Sequence, residues 1–251
     1  MGSKELASSK RIYLLDIPVD IISLEDLEEK TKEMLSSDEV HQIVFVSTLD
    51  LLKARRNTEY EKCLRNASLV IPTTKGIIRG AQFVKKKKVI RHMPFEFVIR
   101  LLGALENQNQ SLYLLGQKQQ DLITVENNLR TSFPNLRIVG RYVGFFPREM
   151  QTDIITAIKK ASPSLLLVGR GLPGKDMWVY SMRKHVNPGI TLWCSECFDI
   201  FSGKKERIPK SSWDSGTYRI SGFLRRPWRF LRIFVYLYYA ILLIIYRIKE
   251  R

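Results

Sequence analysis

Short apolar runs alternate with amphipathic segments along most of the chain. Seven runs have the length and composition of strands, at residues 11–15, 42–47, 69–71, 111–115, 136–140, 164–168 and 189–193. Seven segments carry apolar residues at helical spacing, at 24–36, 50–65, 75–83, 95–106, 118–131, 147–161 and 173–186. Most of the strand runs lack polar alternation, as expected of strands that are buried on both faces. The pattern predicts an α/β fold with a mostly parallel, Rossmann-like sheet flanked by helices.

The C-terminal part of the chain departs from this alternation. Residues Ile233 to Tyr246 form a run of fourteen without a charge or a helix breaker. A helix of that length rises about 21 Å, which is less than the roughly 30 Å hydrocarbon core of a bilayer. Basic residues flank the run on both sides, namely Arg225, Arg226, Arg229, Arg232, Arg247, Lys249 and Arg251. This pattern favours a monotopic helix in the membrane interface; a buried core helix or an oligomer contact is the alternative.

The net charge agrees with an anionic partner. The 251 residues include 41 Lys and Arg against 25 Asp and Glu, for a formal charge of +16. An apolar fraction of 45% and three cysteines argue against a disordered chain and against a small disulfide-stapled one. Residues 204–251 hold twelve basic and three acidic residues, so more than half of the excess lies in the tail. Nucleic acid, an anionic membrane and a phosphate-bearing substrate are therefore candidates, and no nucleic-acid-binding module is visible.

Composition shifts divide the chain into three predicted parts. Residues 1–10 are short and polar, which predicts a flexible N-terminus without a signal peptide and a cytoplasmic location. Residues 11–203 form the predicted α/β core, and residues 204–251 form a basic, apolar and helical appendage. The basic run Lys85–Lys88 is interpreted as a solvated end of a loop.

Metal chemistry has little support in the sequence. Cys194 and Cys197 form a lone C-x-x-C without a second pair, and buried thiols are the more frequent outcome. The three histidines, His41, His92 and His185, show no ligand spacing. We therefore expect neither a metal nor another cofactor.

Glycines follow several predicted strands. They occur in Gly116-Gln117, in the segment from Tyr142 to Gly144, and in the loop that holds Gly169, Gly171 and Gly174. Ligands of parallel sheets bind at the carboxyl ends of the strands, where glycine allows close approach and a helix N-terminus offers N–H groups to an anion. The last loop fits G-x-G-x-x-G, with Glu196 as a ribose-binding candidate. Pro173 removes one donor and the loop follows a late strand, which favours a phosphate-facing loop of another kind.

Several short motifs occur together in a specific order. They include Thr48-Leu49-Asp50, Asn66 to Pro72, Leu114-Leu115-Gly116, Ile138 to Phe146, Gly169 to Pro173 with Trp178, and Cys197 to Gly203 with Arg207-Ile208-Pro209. In this order the chain resembles the WecG/TagA/CpsF glycosyltransferases over residues 10–232. The resemblance implies a UDP-sugar donor, an N-acetylmannosamine-type sugar and a polyprenyl-diphosphate-linked acceptor at the cytoplasmic face of the membrane. It also implies a basic, membrane-directed appendage and leaves a homo-oligomer open.

The resemblance also implies roles for individual residues. Thr48 corresponds to a threonine near the reaction centre, and Arg91 to an arginine at the acceptor or diphosphate side. Residues expected around the donor nucleotide are Gly116, Gln117, Tyr142, Gly144, Gly169, Gly171, Lys175 and Asp199. Arg225, Arg229 and Arg232 are expected to meet the diphosphate of the acceptor.

Five loops depart from the family pattern. Thr73 occupies the position of the aspartate that is the proposed general base, and a threonine hydroxyl cannot accept a proton near neutral pH as a carboxylate does. Lys175 replaces a substrate-contacting glutamine, and Asp50 replaces an asparagine. Met93 to Glu96 keep an acid but lose a threonine and a glycine, and Cys194 to Glu196 replace a small glycine-rich loop.

These departures leave two functions open. The chain is either an inverting, metal-independent glycosyltransferase with a displaced base, or an inactive homologue that serves as a membrane-bound partner or regulator of cell-surface polysaccharide assembly. Substitute bases are Asp50, Glu96 and Asp199. Asp50 could instead be a helix N-cap, and Glu96 a first-turn acid favoured by the helix dipole.

Overall fold

Six parallel strands form the central sheet of the protein. A computed structural model describes residues 10–216 and 232–249. The strand order in this sheet is β4-β3-β8-β7-β5-β6, and all pairs are parallel. The strands in chain order are β1 (Lys10–Leu14), β2 (Ile17–Ile21), β3 (Val40–Val46), β4 (Leu69–Pro72), β5 (Ser111–Leu115), β6 (Arg137–Tyr142), β7 (Leu165–Val168) and β8 (Gly189–Trp193). The predicted α/β class with a mostly parallel sheet is confirmed.

Helices cover both faces of this sheet. They are α1 (Leu27–Ser36), α2 (Thr48–Ala54), α3 (Thr58–Asn66), α4 (Lys75–Lys85), α5 (Pro94–Asn107), α6 (Gln119–Ser132), α7 (Gln151–Ala161), α8 (Asp176–Met182), α9 (Ser195–Phe201), α10 (Lys210–Ser215) and a C-terminal helix (Arg232–Lys249). One core joins the sheet to α1, α5, α6 and α9. On the other face, α2, α3, α4 and the C-terminal helix cover one half, and α7 and α8 cover the other.

A strand that sequence patterning does not predict completes the N-terminal region. β1 and β2 form an antiparallel hairpin beside β4. Arg11 binds Asp20 through two 2.8 Å contacts, and Asp20 accepts the backbone N–H of Val70 at 2.6 Å. The hairpin is attached to the sheet through this buried carboxylate.

Two predicted helices differ from the structure. Residues 50–65 form two helices, because the Asn57 side chain accepts the Tyr60 N–H at 2.9 Å and starts α3. The predicted helix 173–186 is shorter in the structure, where α8 covers Asp176–Met182. The segments α9 and α10, which patterning leaves outside any helix, are helical.

The described parts of the appendage lie against the core. Lys204 forms an ion pair with Asp121, and Trp213 of α10 is buried. The C-terminal helix packs on α4 and α2. None of the helices in the two described stretches is long and apolar enough to cross a membrane. The boundary at residues 203 and 204, like the rest of the predicted division, stays a prediction.

Candidate active site

The predicted site residues lie mostly in loops at one edge of the sheet. Thr48 follows β3, Thr73 follows β4, and Gly116 follows β5. Tyr142 ends β6, and Gly169 follows β7. Because all six strands are parallel, their carboxyl ends meet at this edge, where ligands bind in α/β proteins. The fold therefore brings the residues from β3 to β8 to one side of the molecule.

A pair of threonines joins the ends of β3 and β4. The hydroxyl oxygens of Thr48 and Thr74 lie 2.9 Å apart, and Thr74 Oγ1 accepts the Thr48 N–H at 3.0 Å. Both side chains are buried. Gly76 packs so closely that a Cβ there would lie 2.4 Å from Thr48 Oγ1. Thr74, which sequence reasoning missed, holds Thr48 in place.

The hydroxyl at the position of the expected base is a hydrogen-bond donor in this structure. Thr73 Oγ1 donates to Val46 O at 2.9 Å, and the Thr73 N–H donates to the same oxygen at 2.9 Å. Thr73 thus closes the end of the β3–β4 pair.

The first substitute base, Asp50, has a role in helix capping. Its carboxylate accepts the Ser47 N–H at 2.8 Å and the Ser47 hydroxyl at 2.6 Å. Ser47 is the N-cap of α2 and Asp50 is the third helical residue, so the two form a capping box. Asp50 does take part in capping, as the sequence-based alternative expects. The N-cap itself is Ser47 and not Asp50.

Glu96 differs from Asp50 in its surroundings. Its half-buried carboxylate lines a cavity of about 210 Å³ together with Arg91, and a larger adjacent cavity of about 740 Å³. No hydrogen bond or ion pair to its carboxylate is found within residues 10–216 and 232–249. The His92 N–H donates to Pro72 O at 3.0 Å, which attaches this segment to the end of β4 beside Thr73. Of the three substitute bases, Glu96 is thus the one whose side chain lines a cavity and has no bonded partner among the described residues.

Arg91 faces the appendage. Its guanidinium donates to Trp213 O at 2.7 Å and lies 4.4 Å from the centre of the Trp213 ring. Its Nη2 is also 3.8 Å from Asp214 Oδ1. Lys75, at the start of α4, donates to Ser215 O at 3.0 Å. These contacts hold α10 beside the β4 end of the site.

The glycine loops after β5, β6 and β7 bind one another. Gly116 N–H donates to Tyr142 O, Gly144 N–H to Gln117 O, and Gly169 N–H to Leu115 O. A Cβ on Gly144 would lie 1.9 Å from Arg170 O, so the loops touch through their backbones. Sequence reasoning expects such glycines to present N–H groups to a ligand. In this structure, three of those N–H groups bind protein carbonyls instead, two at the last residues of β5 and β6 and one in the loop after β5.

Gln117 is the exception within these loops. It is buried and has a positive φ of 63°, and its Nε2 has no hydrogen-bond partner in the part of the chain that the structure describes. A buried amide donor without a partner is unfavourable unless water or a ligand satisfies it. Gln117 is therefore the clearest ligand-binding candidate among the residues of these loops.

Charged residues occupy the middle of the edge. Asp199, on α9, forms an ion pair with the largely exposed Arg170. Lys175 lies with its Nζ 5.1 Å from the centre of the Trp193 ring at the end of β8. The two cations, Arg170 and Lys175, belong to the loop that connects β7 to α8. This loop can therefore offer positive charge to a diphosphate.

Sequence reasoning also missed Asp176. Burial, and next to it the charge of Asp50, raises the pKa of the Asp176 carboxyl to about 7. Its Oδ1 has no partner among the described side chains and backbone groups. The residue follows Lys175 directly, but an acid at a helix start is ordinary, so nothing in the sequence indicated its burial.

The C-terminal helix reaches the same region. Tyr239 donates its hydroxyl to Gly76 O at 3.1 Å, next to the contact between Gly76 and Thr48. Arg232 begins this helix, and its side chain lies outside the described part. Arg225 and Arg229 lie outside the described residues, and the acceptor role of all three arginines stays a prediction.

The parallel sheet and the polar residues at its carboxyl edge define an α/β enzyme-like scaffold with a ligand site at one edge. The family model of the "Glycosyl transferase WecG/TagA/CpsF family" matches residues 12–251, and the chain belongs to this family. The resemblance seen in the sequence motifs is thereby confirmed, and with it the class of glycosyltransferases.

Curated relatives agree with this assignment. A Bacillus subtilis (strain 168) protein is 22% identical over 183 residues, which cover 72% of this chain and 70% of the relative. A Staphylococcus aureus (strain NCTC 8325 / PS 47) protein is 18% identical over 211 residues, which cover 83% and 82%. Both are named N-acetylglucosaminyldiphosphoundecaprenol N-acetyl-beta-D-mannosaminyltransferase. The roles of the individual site residues stay predictions.

Proposed function

We propose that this chain transfers an N-acetylmannosamine-like sugar from a UDP donor to a polyprenyl-diphosphate-linked acceptor at the cytoplasmic face of the membrane. The family membership and the names of the relatives support the reaction class and the acceptor. The gathering of Thr48, Gln117 and the Arg170–Lys175 loop at the carboxyl edge of the sheet supports a donor site there. The reaction proceeds with inversion and without a metal.

Glu96 takes the role of the general base in this proposal. The acceptor hydroxyl attacks the anomeric carbon, a new C–O bond forms, and the bond to the UDP oxygen breaks with its electron pair leaving on UDP. The hydroxyl proton passes to the Glu96 carboxylate. What supports this choice is the position of Glu96 in a cavity wall, whereas the Asp50 and Asp199 carboxylates are bound by Ser47 and Arg170.

Cations at the same edge stabilise the departing diphosphate. Arg170 and Lys175 are candidates because they lie in one loop after β7. Positive groups fixed before the reaction stabilise the charge that develops on the leaving group. Thr48, buried and held by Thr74 and Gly76, supports the end of β3 beneath the sugar in this proposal.

The membrane contact belongs to the C-terminal helix. Seven large apolar residues form one exposed stripe along it: Ile233, Phe234, Leu237, Ile241, Ile244, Ile245 and Ile248, each 43–69% exposed. Its opposite side packs on the core through Tyr239 and Leu242. An interfacial helix buries such a stripe in the acyl boundary. The same helix thus packs on the protein and offers a second, apolar face for peripheral membrane association.

Turnover tests the proposal directly. UDP release is measured from UDP-N-acetylmannosamine and other UDP-sugars with a polyprenyl-diphosphate-N-acetylglucosamine analogue. We expect Glu96→Gln to lower kcat by about 10²- to 10⁴-fold, because the amide cannot accept the proton. The matched control is Glu29→Gln, which removes the same charge from an exposed position on α1. An unchanged kcat in Glu96→Gln would place the base elsewhere.

The second candidate is the catalytically inactive partner or regulator of polysaccharide assembly. The hydrogen bond from Thr73 to Val46 favours it, because the residue at the position of the base serves the fold. It predicts no UDP release with any donor and no UDP binding by calorimetry. Turnover by the wild-type chain, lost in Glu96→Gln, rules it out.

A further inference from the structure

Three consecutive exposed lysines, Lys86–Lys88, follow α4. The first of them ends the helix with a left-handed φ of 51°. The sequence predicts a solvated loop end at Lys85–Lys88; the exposure of Lys86–Lys88 agrees with that, whereas Lys85 is the half-buried last residue of α4. The structure adds what lies beside it.

The neighbour is the basic end of the C-terminal helix. Tyr239 binds Gly76 O near the start of α4, and Arg247 donates to Phe83 O near its end. The two helices therefore run side by side in the same direction. The guanidinium of Arg247 lies 4.4 Å from the centre of the Phe83 ring, which is 40% exposed. Lys86–Lys88 thus lie at the same end as Arg247 and Lys249.

We propose that Phe83 and Lys86–Lys88, called here the lysine corner, form a second contact with anionic lipid headgroups, carried by the core. This inference rests on the proposed membrane association of the C-terminal helix. The corner is built into α4 and the loop after it, so the core itself takes part in membrane binding.

Charge and composition select an anionic bilayer as the occupant. The apolar stripe of the C-terminal helix offers a surface for acyl chains, and the corner adds cations beside the end of that stripe. One weak apolar anchor becomes stable when a polybasic patch supplements it. Each lysine near an anionic surface strengthens binding by about fivefold.

Two other partners fit this surface less well. A nucleic acid would bind the cations but would not bury the exposed stripe of isoleucines next to them. A second copy of the chain, docked on the stripe through a two-fold axis, would add its own lysines and arginines to the same interface. Like charges brought together in this way oppose association.

The test compares two triple variants of the full chain. Lys86→Gln/Lys87→Gln/Lys88→Gln neutralises the corner. Lys159→Gln/Lys160→Gln/Lys184→Gln makes the same charge change at exposed positions beside α7 and α8, over the other half of the sheet. Sedimentation is measured with phosphatidylcholine vesicles and with vesicles that also contain phosphatidylglycerol. We expect the corner triple to bind the anionic vesicles about 10- to 100-fold more weakly than the control triple, and both to behave alike on neutral vesicles.

Each outcome has a distinct meaning. If the wild type binds anionic vesicles and the two triples bind equally well, the lysine corner is wrong while the membrane proposal stands. If the wild type binds neither kind of vesicle, both fail. If the corner triple changes the mass of the protein in sedimentation equilibrium without changing vesicle binding, the corner is a contact between copies and the inference is overturned.

A second measurement does not depend on affinity. An environment-sensitive thiol label is attached at Lys87→Cys or, as the control, at Lys160→Cys. The three native cysteines are buried and compete little for the label. A blue shift on anionic vesicles at position 87, with none at position 160, supports the corner. Equal spectra at the two positions contradict it.

Discussion

The hydroxyl of Thr73 shows how one residue can serve the fold at a position where the family expects chemistry. It donates to Val46 O and so links the ends of two strands. An aspartate at this position would be an acceptor, and it could not donate to that carbonyl when ionised. The substitution therefore replaces an acceptor with a donor that the neighbouring backbone can use. A base in this chain must therefore come from another residue, and Glu96 is the residue proposed here.

Asp176 gives a prediction about pH. Its pKa is raised from an ordinary value near 4 to about 7, because the carboxyl is buried and because the negative charge of Asp50 lies nearby. The folded chain therefore binds more protons than the unfolded chain between these values, and the free energy of unfolding falls as the pH rises through this window. We expect Asp176→Asn to remove much of this fall.

Denaturant unfolding at several pH values between 4 and 8 measures the effect. Asp153→Asn on the exposed side of α7 is the control, since its environment is open to solvent. Parallel stability curves for wild type and Asp176→Asn over this range would show that Asp176 ionises normally in the folded chain.

At the scale of elements, α4 and the C-terminal helix form a close pair. A Cβ on Gly80 would lie 2.3 Å from Tyr239 Oη and 3.1 Å from Leu243 Cδ2. Gly80→Ala must therefore shift the Tyr239 ring and weaken its hydrogen bond to Gly76 O. We expect a net loss of about 1–2 kcal/mol in the free energy of unfolding, because overpacking exceeds the helix-propensity gain of alanine.

Gly103 on α5 is the matched control for this change. A Cβ there meets no atom within 4 Å. Gly103→Ala should stabilise the protein by about 0.5–1 kcal/mol. Denaturant unfolding and the rate of proteolysis in the C-terminal helix distinguish the two. If Gly80→Ala and Gly103→Ala change the free energy of unfolding equally, α4 and the C-terminal helix do not pack as closely as described here.

The elements of the core could be predicted from the sequence because their apolar runs are unbroken. The strands at 111–115 and 189–193 are examples, with bounds that agree with β5 and β8. The strand at 17–21 was missed because Pro18 and Asp20 interrupt its apolar pattern, and Asp20 is buried only through its pairing with Arg11. Such a pairing joins residues that a local pattern does not connect.

In the site, too, features set by the order of strands and helices could be predicted, and features set by long-range packing could not. The alternation of strands and helices implies a common carboxyl edge, and the strand-end residues lie at that edge, while their roles stay predictions. The Ser47–Asp50 capping box is local, and its S-x-x-D spacing was readable from the sequence, although Asp50 was considered only as the N-cap itself. The burial of Asp176 depends instead on how α8 packs against α3 and β3, which sequence spacing alone could not give.

At the scale of the whole molecule, the apolar stripe gives a prediction about membrane binding. Ile241→Ser/Ile244→Ser removes two exposed side chains, so we expect the fold to be kept and vesicle binding to fall at least tenfold. Ile123→Ser/Met150→Ser is the control, because both residues are exposed outside this helix. Vesicle sedimentation and the melting temperature are measured together. Undiminished binding by the stripe variant would assign the membrane contact to another surface.

The parallel arrangement of α4 and the C-terminal helix has an electrostatic consequence. Two helix dipoles point the same way, so their negative ends meet where Lys86–Lys88, Arg247 and Lys249 lie. Each cation near a helix C-terminus gains about 0.3–1 kcal/mol at low salt. The partial negative charge of the two backbones offsets the repulsion among these side chains. A dense group of cations can thus be tolerated at one end of the molecule. Salt screens both the repulsion among the cations and their attraction to the helix ends, so it changes the stability of the folded chain little. It does weaken the attraction of the cations to anions outside the protein.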